Sequence, residues 1–347
     1  MERAGVAAPT VPSFLRLRRA WETGVVSETV FGRLLGGFVL LVVVASALRL
    51  GHGPAAQTFL LVFTSIVIEA LPFILVGALA SAAIAVFLPE RALDSLARLP
   101  LALQIPGAAL SGVAFPVCEC GSVPVARRLI ARGVHPGAGI AFMLSSPVLN
   151  PIVLASTWVA YGGHARGAEM VAGRASLGLI AACAAGLAIR RRTRASDLLR
   201  ARPGERAEAH DHEQGDRATA FSTHLVSDFL FMGKFIVLGA GLSALVQASV
   251  PESALSTLGG APVLSSLALM LVAFVLSLCS EADAFIAASF TSFSSGAQLA
   301  FLVFGPIADL KLSVLYGATF RRWFLLRLLA VTVPLIVIGT LIFEAVT

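Results

Sequence analysis

The chain has 347 residues, of which 57% are hydrophobic and only 13% are charged, and its formal net charge is +6. Soluble domains carry about 25% charged residues, so this composition excludes a soluble globular protein and indicates a helical protein with several membrane spans. The basic residues stand in short runs, as expected of cytoplasmic loops, and therefore do not indicate nucleic-acid binding. The four cysteines lie in hydrophobic segments, which argues against a secreted disulfide framework.

In chain order, residues 1–56 are predicted to form a polar cytoplasmic segment followed by a first membrane anchor at 32–50. The sequence ASA at 45–47 is typical of a signal-peptidase site, but the polar stretch before the apolar core is long for a signal peptide. An anchor is therefore the preferred interpretation. Residues 57–88 form a second apolar segment, which contains Glu69 and exceeds the roughly 20 residues that one span needs.

The segment 101–131 is also too long for one crossing, and it contains three prolines and ends in arginines. Because the positive-inside rule keeps those arginines in the cytoplasm, we predict a re-entrant hairpin with its tip at 118–121. Residues 136–161 are then expected to cross outward, with interruptions at 145–147 and at Asn150.

Residues 168–189 are expected to cross back into the cytoplasm, where eight arginines and six acidic residues make 190–222 an exposed linker. In the second half, 262–293 is again too long for one span, and the loop before it, 251–261, carries no basic residue. This segment is therefore predicted to be a hairpin that enters from outside. The other expected spans of the second half are 224–250, 297–316 and 323–344.

The two halves resemble each other. Residues 73–96 match 235–258 at 11 of 24 positions with an offset of 162, and offsets of 161 and 159 pair Cys118 with Cys279 and Pro147 with Pro306. Corresponding segments are predicted to enter the membrane from opposite sides, which is typical of transporters with inverted repeats and a site at the midplane. The predicted fold is an all-α polytopic membrane protein with seven spans and two hairpins; nine full spans in two parallel repeats are the alternative. The predicted domains are the anchor segment 1–56, repeat 1 at 57–189, the linker 190–222 and repeat 2 at 223–347.

Two motifs carry a family resemblance. The strings FPVCECGSVPVARRLIARGVHPGAGIAFMLSSPVLNP at 115–151, CSEADAFIAASF at 279–290 and GPIADLKL at 305–312 resemble those of the predicted-permease family that includes the organoarsenical efflux permeases (ArsP/YraQ-like). The resemblance covers about residues 57–340 and implies a membrane permease. One branch of the family implies export of trivalent organoarsenicals, whereas most members have no assigned substrate.

Cysteines at the predicted hairpin tips are the leading candidates for substrate binding. Residues two apart on a continuous helix point in nearly opposite directions, but at a hairpin tip Cys118 and Cys120 could both face one cavity. Cys279 holds the equivalent place in the second hairpin, and soft thiolates select soft, thiophilic species. The alternative is that these cysteines are small buried hydrophobic residues. Ser122, at a helix start that favours anions, and Asn150 are further substrate-binding candidates.

Several ionisable residues are expected inside the membrane, where such groups are usually functional. Glu281 and Asp309 are candidates for proton coupling or for structural ion pairs, and Lys311 is placed to pair across a cavity. Glu69 is a weaker candidate of the same kind. Asp283 also fits a capping box at the start of the second hairpin arm.

These features favour a secondary permease of the plasma (inner) membrane, with the N-terminus and the linker in the cytoplasm. We expect it to export a small thiophilic solute, such as a trivalent arsenical, by alternating access. A sulfur compound or a metal ion is the alternative substrate, and a membrane thiol oxidoreductase is the alternative class. No loop of the form GxxxxGK[ST] occurs, so an ion gradient or a partner must supply energy. We expect no cofactor, no resident metal and no nucleic-acid partner. The expected partners are the small-molecule solute and the lipid bilayer, and a homo-oligomer and an accessory subunit both stay open.

Overall fold

The computed structural model describes residues 53–87, 99–115, 117–189, 193–200, 217–249 and 262–347. Within these ranges the chain forms thirteen α-helices and one short 3₁₀ turn, Gly112–Ala114. The helices are α1 Pro54–Phe87, α2 Leu101–Ser111, α3 Glu119–Ala131, α4 Pro136–Leu149, α5 Pro151–Ala160, α6 Ala165–Ala188, α7 Ala195–Leu198, α8 Arg217–Ser249, α9 Pro262–Leu276, α10 Asp283–Ser289, α11 Ser295–Phe304, α12 Leu310–Thr319 and α13 Trp323–Val346. The predicted first span, 32–50, lies outside the described residues.

Five helical segments of the described chain are long and apolar enough to cross a membrane. They are Ala56–Phe87, Pro136–Ala160, Ala165–Ala188, Arg217–Ala248 and Arg322–Val346. This confirms an all-helical membrane protein with several spans. The predicted span 297–316 forms two ten-residue helices, α11 and α12, which are separated by a break.

Both segments predicted to be hairpins are broken near their middle, so that α2 and α3, like α9 and α10, are separate helices. The first break precedes Pro116. A residue before proline avoids helical angles, and Phe115 is accordingly extended, at φ −113° and ψ 97°. The second break contains Ser277, whose φ of 48° lies in the left-handed region that costs a non-glycine residue about 1–2 kcal/mol.

The helix pairs α4–α5 and α11–α12 share one plan. The first helices of the two pairs start at 136 and 295, and the second helices run over 151–160 and 310–319, so that these boundaries differ by 159. At each of the four helix starts, the preceding side chain accepts a hydrogen bond from a helical amide and so satisfies an orphan donor. The capping residues are His135, Asn150, Ser294 and Asp309. The spacing equals the offset that relates Pro147 to Pro306.

The predicted interruption at 145–147 is wrong, because α4 continues through these residues. Pro147 has no N–H, and so the carbonyl of Met143, one turn earlier, lacks its usual helical donor. The hydroxyl of Ser122 in α3 donates to that carbonyl at 3.0 Å. A side chain from a neighbouring helix thus replaces the hydrogen bond that proline removes.

The long helices α1 and α8 pack along each other, and in addition α1 packs against α3 and α8 packs against α12. A Cβ added to Gly77 would lie 2.4 Å from the Cα of Gly121 in α3, and one added to Gly239 would lie 2.6 Å from the Cα of Lys311 in α12. Small residues allow helix backbones to approach in this way inside membranes. Gly77 and Gly239 are the pair that the offset of 162 relates.

Part of the linker that was predicted to be exposed is packed against the helices. Leu198 is fully buried, and Leu199 forms an isolated antiparallel bridge with Phe320. The guanidinium of Arg127 donates to the carbonyl oxygen of Arg200 at 2.9 Å. The prediction of an exposed linker is therefore wrong for these residues, because it considered the charge of the whole linker and overlooked the two adjacent leucines.

Candidate functional site

A narrow cavity of about 10 Å³, room for about one water molecule, lies where the break between α2 and α3 meets the break between α9 and α10. Side chains from α1, from both breaks and from the start of α12 enclose it. They are Ile66, Glu69, Ala70, Phe73, Cys118, Glu119, Cys120, Ser277, Cys279 and Lys311. Both halves of the sequence therefore contribute thiols and charges to one enclosed space.

A buried ion pair crosses this cavity. The ammonium of Lys311 lies 2.9 Å from Oε1 of Glu119, and the two side chains are only 4% and 2% exposed. The other carboxylate oxygen, Oε2, accepts a hydrogen bond from the hydroxyl of Ser280 at 2.6 Å. Glu119 belongs to the first half of the chain, and both of its partners belong to the second, so this carboxylate connects the halves.

Lys311 is also held by its own half. Its ammonium donates to the carbonyl oxygens of Ser277 and Leu278 at 3.1 and 3.0 Å, just beyond the C-terminal end of α9, where a cation is favoured. Since an ammonium has three N–H donors, Glu119 and these carbonyls use all of them. Asp309 lies farther away, with its Oδ2 3.5 Å from the ammonium.

Three of the predicted ligands, Cys118, Cys120 and Cys279, line the cavity, and all three are buried free thiols. Cys118 has extended backbone angles and immediately precedes α3, whereas Cys120 lies within the first turn of α3. The helix start therefore places both thiols on the cavity. The thiol of Cys279 donates to Oε2 of Glu281 at 2.6 Å. Among the described residues, no group of three or more His, Cys, Asp or Glu side chains is arranged to hold a metal ion.

Asp283 does not form the predicted capping box. The residue before α10 is Ala282, which makes no side-chain cap. Both oxygens of Asp283 instead accept hydrogen bonds from the guanidinium of Arg174, at 2.9 and 2.8 Å. Arg174 also donates to the hydroxyl of Thr157 at 2.8 Å. A buried arginine without a carboxylate is far more costly than a backbone amide without a cap, and so Asp283 pairs with Arg174 instead of capping α10.

The other predicted site residues are divided between the cavity and its frame. Glu69 lines the cavity, whereas Ser122 and Asn150 do not. Ser122 bonds backbone carbonyls, and Asn150 accepts from the amide of Ile152 at 3.0 Å. The amide nitrogen of Asn150 and the Oε1 oxygen of Glu281 have no hydrogen-bond partner in the described part of the chain.

Comparison with known proteins shows the family to which the chain belongs. The model of a family described as "Predicted permease" matches residues 55–345. The chain belongs to this permease family. It is 39% identical over 288 residues to UPF0718 protein YcgR of Bacillus subtilis, covering 81% of this chain and 95% of that protein. It is 34% identical over 295 residues to a Streptococcus mutans protein named as a subunit of a two-component membrane permease complex, covering 82% and 94% of the two chains. No solved structure matches the permease significantly.

Two charged residues of the permease were missed by reasoning from its sequence, Glu119 and Arg174. The repeat comparison hid Glu119, because the equivalent residue in the second half is the uncharged Ser280. Arg174 lies within a predicted span, and Glu119 lies between two cysteines of an apolar segment. An ionisable residue inside a span is a candidate for function by default, and applying that rule to every such residue finds both.

Proposed function

We propose that this permease exports a small thiophilic solute, such as a trivalent organoarsenical, by alternating access. The observation that carries the proposal is the cavity lined by Cys118, Cys120 and Cys279, to which both halves of the chain contribute. Thiolate ligands favour soft species, and a site between two halves can be exposed to either side when the halves move. A sulfur compound and a thiophilic metal ion are the alternative solutes.

The inverted repeat and its two re-entrant hairpins are part of the proposal. They are supported by helix boundaries and caps that recur at an offset of 159. They are also supported by the hydrogen bond between Ser280 and Glu119, which are related by the offset of 161. When two equivalent residues of a two-fold arrangement touch, they lie beside the axis, and in such transporters the axis passes through the site.

A topology follows from the loop charges. The segments 127–135 and 190–222 lie in the cytoplasm, 251–261 lies outside, and the chain resides in the plasma membrane. Reporter fusions at these three segments test the arrangement. A fusion that places 127–135 outside removes the first hairpin and the inverted repeat, whereas the family assignment is unaffected.

The substrate proposal is tested by single and double Cys→Ser variants at matched expression. We expect the Cys118→Ser/Cys120→Ser variant to lose at least about tenfold of arsenical resistance and of uptake into everted vesicles, because a hydroxyl is a hard and weak ligand for soft species. Cys183→Ser is the matched control, since Cys183 lies in α6, away from the cavity, and it should behave as the wild type. Full activity of the double variant contradicts thiol ligation.

A membrane thiol oxidoreductase is the competing class, because Cys118 and Cys120 are neighbouring free thiols. Such an enzyme would change the redox state of a substrate without moving it, and it would not require the second half. Reconstituted proteoliposomes separate the classes. Accumulation of unmodified solute on one side supports a permease, whereas turnover without a solute gradient supports the enzyme.

Glu281 is our leading candidate for the coupling proton, with Asp309 second. Glu281 is half-buried beside the cavity, one oxygen accepts from the thiol of Cys279, and the other has no partner. Glu281→Gln should abolish gradient-driven transport while leaving folded protein in the membrane. Asp309→Asn provides the comparison, because the amide still caps α12, as Asn150 caps α5. Normal gradient-driven transport in both variants removes the coupling proposal.

An accessory subunit is proposed from the name of the Streptococcus mutans relative, which describes a subunit of a two-component complex. Purification of the tagged permease from its native host, in mild detergent, should recover a stoichiometric second protein. Recovery of the permease alone, with full transport after reconstitution, excludes an obligatory partner.

A further inference from the structure

Lys311 has two carboxylates within reach, and they belong to different halves of the permease. The ammonium of Lys311 lies 2.9 Å from Oε1 of Glu119 in the first half. It lies 3.5 Å from Oδ2 of Asp309 in the second half, at the longer end of ion-pair distances. Both are almost completely buried. One oxygen of Asp309 accepts from the amide of Leu312. The other, Oδ2, is the oxygen nearest to the ammonium and has no hydrogen-bond partner among the described residues.

Movement of one half against the other must break the bond between Glu119 and Lys311. A buried lysine left without a close carboxylate would be strongly unfavourable, because the desolvated charge stays uncompensated. Lys311 avoids this outcome in the second half, where two backbone carbonyls already hold it. An approach of Asp309 by about half an ångström would bring Oδ2 to ordinary charge-assisted hydrogen-bond distance and replace the lost partner.

We infer that Lys311 is a latch that exchanges carboxylates during the transport cycle. It holds Glu119 when the halves close around the cavity, and it holds Asp309 when the first hairpin moves away. The lysine therefore remains paired in both states, and only Glu119 needs new partners, which water entering the opened cavity supplies. This inference rests on the proposed alternating access, and it adds the positioning residues that make the two states comparable in free energy.

The surroundings favour an exchange between these two carboxylates. Ser280 stabilises the closed state through its bond to Glu119 at 2.6 Å, and Gly239 brings α8 against the backbone of Lys311. The latch is thus held on one side by α8 and by the break after α9, while Glu119 moves with α3. Other ionisable groups surround the pair. The first half contributes Glu69 from α1 and Cys118 and Cys120 from the start of α3. The second half contributes Cys279, Glu281, Tyr316 and Asp283, the last of which is paired with Arg174.

The test compares Glu119→Gln with Asp309→Asn in lipid nanodiscs by hydrogen–deuterium exchange, without any solute. The reporters are hydrogen-bonded amides at the two breaks, those of Ser122, Ala282 and Asp283. Glu119→Gln weakens the closed state, so these amides should exchange about tenfold faster, the change that 1.4 kcal/mol produces. Asp309→Asn removes the alternative partner, so the same amides should exchange more slowly than in the wild type, by about threefold.

Effects in opposite directions are the signature of a latch, because a purely structural role predicts that both variants loosen the same region. Exchange that is faster or unchanged in Asp309→Asn overturns the inference, and so does unchanged exchange in Glu119→Gln. Ser280→Ala is the conservative second variant, should Glu119→Gln fail to fold: it removes one bond to Glu119 without altering a charge, and should accelerate exchange to a smaller extent. Because the readout requires no solute, failure of the thiol proposal leaves this result interpretable, and failure of the latch leaves the thiol-dependent transport unaffected.

Discussion

The broken helix pairs α2–α3 and α9–α10 meet at one cavity, but they are built from different chemistry. The first pair breaks before Pro116, whereas the second breaks at Ser277 in a left-handed conformation, and these two residues are related by the offset of 161. The first carries Glu119 to Lys311 of the opposite half, and the second is anchored through Asp283 to a buried arginine.

The difference has an electrostatic reason. In the proposed inverted repeat, equivalent positions near the two-fold axis would face each other, and identical ionised side chains there would repel. Glu119 and Ser280 occupy such a pair of positions, and a carboxylate and a hydroxyl make a hydrogen bond where two carboxylates would not. Under the proposed repeat, this difference between the two halves stabilises the contact between them.

The largest effect should come from breaking the anchor of the second hairpin. Arg174 is completely buried and bonded to Asp283, and removal of one partner leaves an uncompensated charge at a cost of about 3–5 kcal/mol. Arg174→Leu should therefore abolish folded protein in size-exclusion chromatography. The double variant Arg174→Met/Asp283→Leu should recover part of it, because no charge stays unpaired. Equal loss in the single and double variants would show that the pair contributes more than charge compensation.

The two helix breaks should not be interchangeable. Ser277→Pro gives the second break the residue of the first, but proline cannot adopt a φ of 48° and cannot donate to the carbonyl of Ala273. We expect a loss of about 3 kcal/mol in stability and a correspondingly lower Tm. Ser277→Asn is the control, since asparagine tolerates this conformation. A Tm for Ser277→Pro as high as that of the control would contradict the role of the left-handed residue.

Equivalent glycines should respond alike, although they contact different elements. Gly77→Ala and Gly239→Ala each place a methyl group against a backbone, and overpacking of this kind costs about 1–3 kcal/mol. Gly233→Ala in the same helix as Gly239 meets no atom within 4 Å and should be neutral or stabilising. Thermal unfolding of the three variants is the measurement. Gly239→Ala should in addition reduce transport, because it displaces Lys311.

The smallest effect concerns the caps. Asn150→Ala removes the acceptor for the amide of Ile152 and should cost about 1 kcal/mol, whereas Asn150→Ser keeps an acceptor and should cost less. Differential scanning fluorimetry resolves a change of this size. Equal Tm values for the alanine and serine variants would indicate that the cap is not what stabilises α5.

The membrane class and most of the spans could be predicted from the sequence, because hydropathy is a local and additive property. The inverted repeat, which was inferred from loop charge and offsets, stays a prediction. The thiols were predicted to share a cavity on the same grounds, and the cavity contains all three. The capping box at Asp283 and the interruption at 145–147 were wrong, since a distant arginine and a distant hydroxyl satisfy the groups concerned. A local motif indicates which structure a segment favours by itself, and buried contacts with distant residues determine whether that structure forms.

The sequence by itself determined that this chain crosses the membrane several times, that its halves are related and that cysteines and charges stand at the breaks. The tertiary structure alone decided which charges meet. Glu119 and Lys311 are 192 positions apart, and no periodicity connects them. Their pairing depends on where the two helix breaks converge, and in a low-dielectric interior that convergence determines whether a charge is stabilised or prohibitively costly.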